Sequence, residues 1–517
     1  MINSVLDRPR KSIVMDRLIS ENTHGDITIT TDENEIKEKV RNHFYKWTSK
    51  RNTDELLMNK WAEFYNPLPN VNVNWYNSLL HDVEIDELIE TITSLPNKKA
   101  PGQSNLQYEW FKHLPTVGLE VLRDIINMAI TLNDIPRDWK LGFIYPIPKT
   151  TEWGHNLNIT RPITLLEAGR KIFMKIMNNR LSKILSINKV LSAHNYAGLP
   201  GDDTQSPIHI INNIMEDARV NKRELWIMFQ DMSKAFDSVN SDCLTHALKR
   251  IKIPIGFINI ISNLLKNREN IVLTTYGNTT PYSVEDGIDQ GDIISPLLWR
   301  IFYDPLISRV ASENYGYTMR EKWIEDLKLG STKSLKLRAS VAAYVDDTNW
   351  FASSRDNMEK ILDIANEFFL MNDITINKSK SHLIAINASN EDRIKGVRLG
   401  KDILLPVEKD YPIRSLGVYV TESGSKRFQK ERLKRVTDYM ASILRNKPIT
   451  DKQAIYIFNA VVIPMLEYSL NDMTMSEKEC WKITTRFISV IKSKACLARI
   501  APNALIHARE AYGTCNL

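Results

Sequence analysis

Two adjacent aspartates, Asp346 and Asp347, stand where one β-prone run ends and another begins, in the stretch SVAAYVDDTNWFA from Ser340 to Ala352. Apolar or β-prone residues lead up to Tyr344 and Val345, and Trp350 and Phe351 lead away. This pattern predicts two short strands joined by a tight turn with the acids at its tip. Like charges side by side repel, so a rigid tip that holds both calls for a cation. For an all-oxygen site the fitting ions are Mg²⁺ and Mn²⁺. A solvated Asp-Asp turn is the other reading. Asp202-Asp203 is an internal control: Gly198, Pro200 and Gly201 precede it and no apolar strand flanks it. The acid pair alone is weak evidence, and the flanking strands are what point to a metal site.

A length of 517 residues allows a large core and roughly two to four domains or subdomains. Apolar residues make up 43% and charged residues 25%, a globular balance that excludes a disordered chain. No apolar run approaches the length of a membrane-crossing helix. The N-terminus, MINSVLDRPRKSIVMDRL, carries charges throughout and has no apolar core of a secretory signal; Asp7 and Asp16 also argue against a transit peptide. An intracellular chain without a membrane partner is the expectation. The net charge of +6 permits a nucleic-acid partner without requiring one. Cys243, Cys480, Cys496 and Cys515 are scattered, with no Cys-x-x-Cys pair, and read as reduced thiols rather than a zinc site.

Along the chain, residues 1–80 read as a helical leader. Thr31 can cap a helix that places Ile36, Val40, Phe44 and Trp47 on one face. A second boundary separates 81–230 from 231–420, and the remainder, 421–517, reads as mostly helical. LWIMFQDMSKAFDSV (225–239) opens with a continuous apolar run, the mark of a central strand buried on both faces, with Asp231 at its exit. A capping or turn role for Asp231 competes with a catalytic one. Asn240 or Ser241 can cap the helix that follows. In GIDQGDIISPLLW, Gly287 and Gly291 bracket a loop and Ser295 can cap a helix with Pro296 at its first position. After the hairpin, Asp356 with Glu359 fits a capping box. ITINKSKSHLIAIN and RSLGVYV (414–420) each read as a strand. KRFQKERLKR (426–435) is a strongly basic helix, either a solvated face or a phosphate-backbone contact.

Asp231, Asp346 and Asp347 thus fall on strands that can lie side by side in a mostly antiparallel sheet backed by helices, an α+β arrangement. Carboxylates so placed can hold two divalent ions about 4 Å apart for phosphoryl transfer. LWIMFQDMSKAFDSV, DQGDIISPLLW, AAYVDDTNWF, NKSKSHLI and RSLGVYV, in this order and spacing, resemble the successive palm motifs of reverse transcriptases, most closely those of non-LTR, LINE-type retrotransposons. KKAPGQSN, and IPK followed by RPITLLEAGRKI, resemble the extra finger motifs of that group.

The resemblance implies a right-hand polymerase with fingers, palm and helical thumb. It also implies an RNA-dependent DNA polymerase that uses two Mg²⁺ or Mn²⁺ ions, an RNA template, a DNA primer and dNTPs. By that likeness Asp231, Asp346 and Asp347 are metal ligands and Lys380 is the proton donor to pyrophosphate. Lys149 and Arg161 contact the triphosphate, while Gln290, Gly291 and Phe236 lie against sugar and base pair. Leu416 and Gly417 belong to the primer grip, and Arg432, Lys434 and Arg435 to the thumb's nucleic-acid face. The chain departs from the family at Pro101-Gly102-Gln103-Ser104-Asn105 and at Asp289, which adds a negative charge beside the triphosphate site. Two other readings remain open: an intron-maturase-type reverse transcriptase, for which no Cys-rich nuclease tail is evident, and a catalytically decayed RNA-binding copy. The expectation is also of a chain with neither an endonuclease-sized N-terminal region nor an RNase H domain.

Overall fold

The structure is a computed structural model and describes residues 13–21, 27–150, 153–326, 331–470 and 472–507, the side chains of 321–333 and His507 excepted. The first twelve residues, which bear on the signal segment, and Cys515 lie outside the described residues.

The centre is a four-stranded antiparallel sheet in the order Val341–Tyr344, Asp347–Ala352, Leu225–Gln230, His382–Ile386. Every residue of Leu225–Gln230 is buried, as its unbroken apolar run requires. The two-residue period divides this strand between two cores. Trp226 and Met228 face one core, built from the helices Ser295–Ser312 and Arg355–Met371. Leu225, Ile227 and Phe229 face the other, built on Ile211, Ile214 and Met215 of the helix Gln205–Val220.

A second sheet lies upstream, in the order Thr160–Leu165, Leu141–Pro148, Arg268–Thr274, Gly277–Asn278, with Tyr282–Val284 also paired to Arg268–Thr274. Its Leu141–Pro148 and Arg268–Thr274 strands run parallel. The leader holds a hairpin, Leu18–Glu21 with Ile27–Thr30, ahead of the expected helix. That helix, Glu33–Trp47, buries the face read from the sequence, Ile36, Val40, Phe44 and Trp47, against Ile144, Val272, Tyr282 and Val284 of the second sheet. The C-terminal helices, including Arg427–Asn446 and Glu477–Lys494, enclose a separate core around Leu444, Ile457, Phe487 and Ile491.

Several local expectations are corrected. Asp32, not Thr31, caps the leader helix, its side chain accepting from the Glu35 N–H at 2.9 Å. Ser354, not Asp356, caps Arg355–Met371, and Glu359 binds Arg355 at 2.8 Å instead of closing a capping box. Ser295 is already helical, with Ile294 in the cap position. Asn240 is a cap, accepting from the N–H groups of Asp242 and Cys243. Residues 414–420 are not one strand but part of a hairpin, Ile413–Ser415 with Val418–Val420, turned by Leu416 and Gly417 at φ 47° and 87°. Asp451–Leu470 is one helix long and apolar enough to cross a membrane, contrary to the sequence reading. It contains a turn of π-helix at Phe458–Val462 and buries Ala454, Ile457, Phe458 and Val462 in the C-terminal core.

Trp350 is fully buried in the central sheet, and its indole N–H donates to Gln230 Oε1 at 2.8 Å. Trp350→Ala is expected to cost about 3–5 kcal/mol in urea unfolding. Ile394→Ala, at a side chain 78% exposed, is expected to cost under about 0.5 kcal/mol.

Candidate active site

The turn Tyr344–Asp347 connects the two strands predicted around the acid pair, with Tyr344 and Asp347 as its closing partners. Val345 sits at φ 56°, a conformation that a β-branched residue adopts only under strain. Trp299 holds it there: the buried indole N–H donates to the Val345 carbonyl at 2.7 Å, and Tyr303 stacks on Trp299 with ring centroids 5.4 Å apart. The turn's geometry is therefore imposed by the helix Ser295–Ser312 beneath it.

Asp231 follows Gln230, whose antiparallel partner is Thr348, so the register brings Asp231 level with Asp347. Its backbone is fixed from the far side. The Asp231 N–H donates to Ser381 Oγ at 3.2 Å, and its carbonyl accepts from the Asn377 N–H at 2.9 Å. This ties the Lys378–Lys380 turn to the acid. Burial, then the negative charge of Asp231, raises the Asp346 pKa above the ordinary carboxylate range. Asp347 is pushed up to about 6 by burial, then by Asp346 and Asp231. Asp347 opens onto the cavity, where solvent screens part of this effect.

A cavity of about 880 Å³ gathers these acids and most of the other expected residues. Asp231, Asp346 and Asp347 line it together with Lys149, Arg161 and Lys380. Phe236, Gln290, Gly291 and Leu416 complete the expected set. Lys149 has its pKa lowered by burial, then by the charges of Lys380 and Arg161. Phe236 does two things at once, lining the cavity while its ring packs 6.1 Å from that of Trp299. Gly417 and the basic helix residues do not line the cavity. Arg432 lies over the Tyr419 ring at 5.4 Å, Arg435 over Phe428 at 5.9 Å, and Lys434 pairs with Asp438 at 2.5 Å.

The loop Gly287–Gly291 is locked by close backbone contact. A Cβ on Gly291 would lie 2.3 Å from the Thr164 carbonyl oxygen, and the Gln290 carbonyl accepts from the Thr164 N–H at 2.9 Å. Gln290 Nε2 donates to buried Asp237 at 2.8 Å. Burial lifts the Asp237 pKa to about 7, opposed by Lys234 and Arg51. Asp289, the departure from the family pattern, points away from the cavity. It is buried between Arg170 at 2.6 Å and Arg268 at 2.8 Å, and Asp292 binds Arg170 as well. Burial alone would raise its pKa; the two guanidinium groups hold it below the ordinary value. At the other departure, Gly102 packs against the Leu166–Glu167 backbone, and the Ser104 hydroxyl donates to Glu167 at 2.6 Å.

Sequence reasoning did not single out Trp47 as a cavity residue, nor Lys234, Asp237 or Trp299. Lys234 and Asp237 lie inside the quoted stretch 225–239, but their signal is spatial. Trp47 looked like a core residue and is one, at 5% exposure, while also lining the cavity.

Three acids at the end of a buried sheet share an open cavity with three basic side chains, a donor set suited to nucleotidyl transfer. The family model for reverse transcriptase (RNA-dependent DNA polymerase) matches residues 147–420, and the chain belongs to that family. Its relatives place it with the non-LTR retrotransposon enzymes. It is 28% identical over 220 residues to the probable RNA-directed DNA polymerase from transposon BS of Drosophila melanogaster, covering 43% of this chain and 24% of that protein. It is 27% identical to the RNA-directed DNA polymerase from mobile element jockey of the same fly, with the same two shares. It is 23% identical over 397 residues to the Pol polyprotein of the R2 element of Popillia japonica, covering 76% of this chain and 52% of that protein. The chain thus spans about a quarter of the length of the first two relatives.

Membership implies dependence on divalent metal. Among the described residues, no three His, Cys, Asp or Glu side chains are drawn together as a closed metal-ligand set. The donor chemistry nevertheless fits. Asp231, Asp346 and Asp347 offer hard oxygen donors only, and no ion pair to Lys or Arg neutralises them among the described residues. Burial first, and then the negative charge of neighbouring carboxylates, raises the pKa values of Asp346 and Asp347, so a bound cation would relieve both penalties.

Asp289→Ala leaves Arg268 facing a buried gap, so it is expected to cost roughly 3–5 kcal/mol. The check is chemical denaturation. A stability change below about 0.5 kcal/mol would show that Asp289 is not a structural charge.

Proposed function

We propose that the chain is an RNA-dependent DNA polymerase of a non-LTR retroelement, extending a DNA primer on an RNA template with dNTPs and two Mg²⁺ ions. The observation that carries this reading is one cavity lined both by the three carboxylates and by Lys149, Arg161 and Lys380. Residues 81–230 then form the fingers and start of the palm, 231–420 the palm, and 421–517 the thumb, behind a leader of 1–80. An intracellular site of action follows from this template.

Asp231, Asp346 and Asp347 would hold the ions, which supply nucleophile activation at the primer 3′-hydroxyl and charge neutralisation on the leaving pyrophosphate. Lys149 and Arg161 would bind the triphosphate, their charges already lying close enough to repel. Lys380 stands on the turn tied to Asp231, so the proton donor to pyrophosphate and a metal ligand would move as one unit. Gly291 lets the loop backbone approach, and Gln290 is held by Asp237 to present its backbone to the nucleotide. The turn at Leu416–Gly417 would seat the primer end, fastened by a hydrogen bond from the Tyr468 hydroxyl to the Leu416 carbonyl. Arg432 and Arg435 would follow the nucleic-acid backbone, with Lys434 contributing once it leaves Asp438. The internal neutralisation of Asp289 favours an active enzyme over a decayed copy, since its charge is not presented to a triphosphate.

Asp346→Asn is expected to abolish extension of oligo(dT) on poly(rA) in Mg²⁺ while leaving template binding intact. Retained activity at several per cent of wild type would sink the ligand assignment. The raised Asp346 pKa makes the ionised carboxylate unfavourable in the folded state, so its penalty is absent below the ordinary Asp range, grows as pH rises above that range and is complete once pH passes the folded value. In EDTA at pH 8 the variant's Tm should therefore equal or exceed that of wild type, and the gain should shrink as pH falls.

Phe236 would stand under the sugar, filling the volume of a 2′-hydroxyl and offering it no hydrogen-bond partner. Phe236→Val is expected to raise ribonucleotide over deoxyribonucleotide insertion about tenfold, equivalent to ~1.4 kcal/mol. Single-nucleotide extension on one RNA template measures this. A change in stability alone would make Phe236 a packing residue.

A further inference from the structure

The leader helix Glu33–Trp47 carries none of the family motifs, yet its last residue lines the catalytic cavity. Trp47 is held firmly. Arg51 Nη2 donates to the Trp47 carbonyl at 2.7 Å and to the Asp237 carbonyl at 3.0 Å. The Arg51 N–H donates to Asp286 at 2.8 Å, and the Glu285 N–H returns a bond to Thr48 at 2.9 Å. The helix end is thus bolted to the loop after Asp231 and to the loop before Gln290. His43 packs on the indole at 4.9 Å and is kept neutral, its pKa lowered to about 4 by burial and then by Lys234.

Over the free face of this ring stands Lys234, its Nζ 3.8 Å from the ring centroid. Lys149 Nζ approaches the same ring at 5.8 Å. Lys234 adopts φ 54°, uncommon for a residue with a side chain, and lines the cavity three positions after Asp231. Among the described residues no carboxylate forms a salt bridge with its ammonium; the indole is the partner in contact. An ammonium resting on an aromatic face keeps N–H donors for another ligand, since the ring does not neutralise it as a carboxylate would; burial lowers the Lys234 pKa to about 8, opposed by Asp237.

We propose that Trp47 is a positioning residue that holds Lys234, and more loosely Lys149, on the cavity wall, and that Lys234 contacts the phosphates of the incoming nucleotide. This rests on the polymerase reading. A polyanion entering beside Lys149 and Arg161 meets a further cation already oriented by the leader. The leader is then part of the nucleotide site, and the part it contributes is a π surface rather than a charge.

The test uses the full chain with Mg²⁺. Binding of dTTP is measured on poly(rA) with dideoxy-terminated oligo(dT), and KM and kcat are measured by single-nucleotide extension on the unblocked primer. Trp47→Leu and Lys234→Gln are each expected to weaken dTTP binding and raise KM roughly three- to thirtyfold, the range of a partly desolvated cation–π contact. The kcat at saturation and the affinity for template–primer should stay within about twofold, and Trp47→Phe should recover most of the loss, since a π face remains. The double variant should be no worse than Lys234→Gln alone. Unchanged dTTP affinity in Lys234→Gln, or fully additive losses in the double variant, would overturn the proposal while wild type still extends primers. A Trp47→Leu defect confined to Tm and template affinity would also overturn it, by making the residue structural. If wild type neither binds dTTP nor extends the primer, the polymerase reading fails and takes this proposal with it.

Discussion

Three carboxylates are held near one another at the end of a sheet that cannot relax, and most of the surrounding structure answers to that repulsion. A flexible turn would let Asp346 and Asp347 swing apart into solvent. Here Trp299 pins the strained Val345 carbonyl, and the stacked Tyr303 braces Trp299 in turn. Strain of about 1–3 kcal/mol at one residue persists because the helix beneath is buried on nearly all sides. Burial of the tip, and then the neighbouring carboxylates, accounts for the upward pKa shifts of Asp346 and Asp347.

The same rigidity explains why the central strand is apolar throughout. Leu225–Gln230 is covered by helices on both faces, so alternate side chains anchor two independent cores. Tilting the strand would disturb both. Asp231 inherits its position from that double anchorage, and the Lys378–Lys380 turn inherits it again through the hydrogen bonds to Asp231. The proposed metal ligand and the proposed proton donor are therefore aligned by backbone hydrogen bonds.

Features with short-range physical causes were legible in the sequence. The acid hairpin, the doubly buried strand and the leader's apolar face follow from periods of two and of about 3.6 residues, and the structure has all three. Helix caps were missed by one or two residues, because neighbouring Thr31, Asp32, Ser354 and Asp356 are all competent caps and only the local backbone decides. The hairpin at 413–420 was hidden because its turn needs positive φ at Leu416, which the sequence does not advertise. Least legible was Asp289. Its charge looked like a defect beside the triphosphate site. Its partners, Arg170 and Arg268, lie 119 and 21 residues away, and no local pattern joins them.

That buried network also fixes how the second sheet meets the loop that carries Gln290. Arg268 begins the strand Arg268–Thr274, donates to the Gly287 carbonyl at 2.7 Å and pairs with Asp289. Arg170 lies on the helix Ala168–Ile187, directly after the strand Thr160–Leu165, and closes the network with Asp292. Gly291 is pressed against Thr164 of that strand so closely that any side chain would displace it. The loop carrying Gln290 is thereby clamped between the strands Thr160–Leu165 and Arg268–Thr274, while the Gln290 side chain reaches Asp237. An arginine in place of Asp289 would put three guanidinium groups into one buried space, so the aspartate is required by its surroundings in this chain. Asp289 is thus a charge of the scaffold, paired in the interior and outside the lining of the cavity.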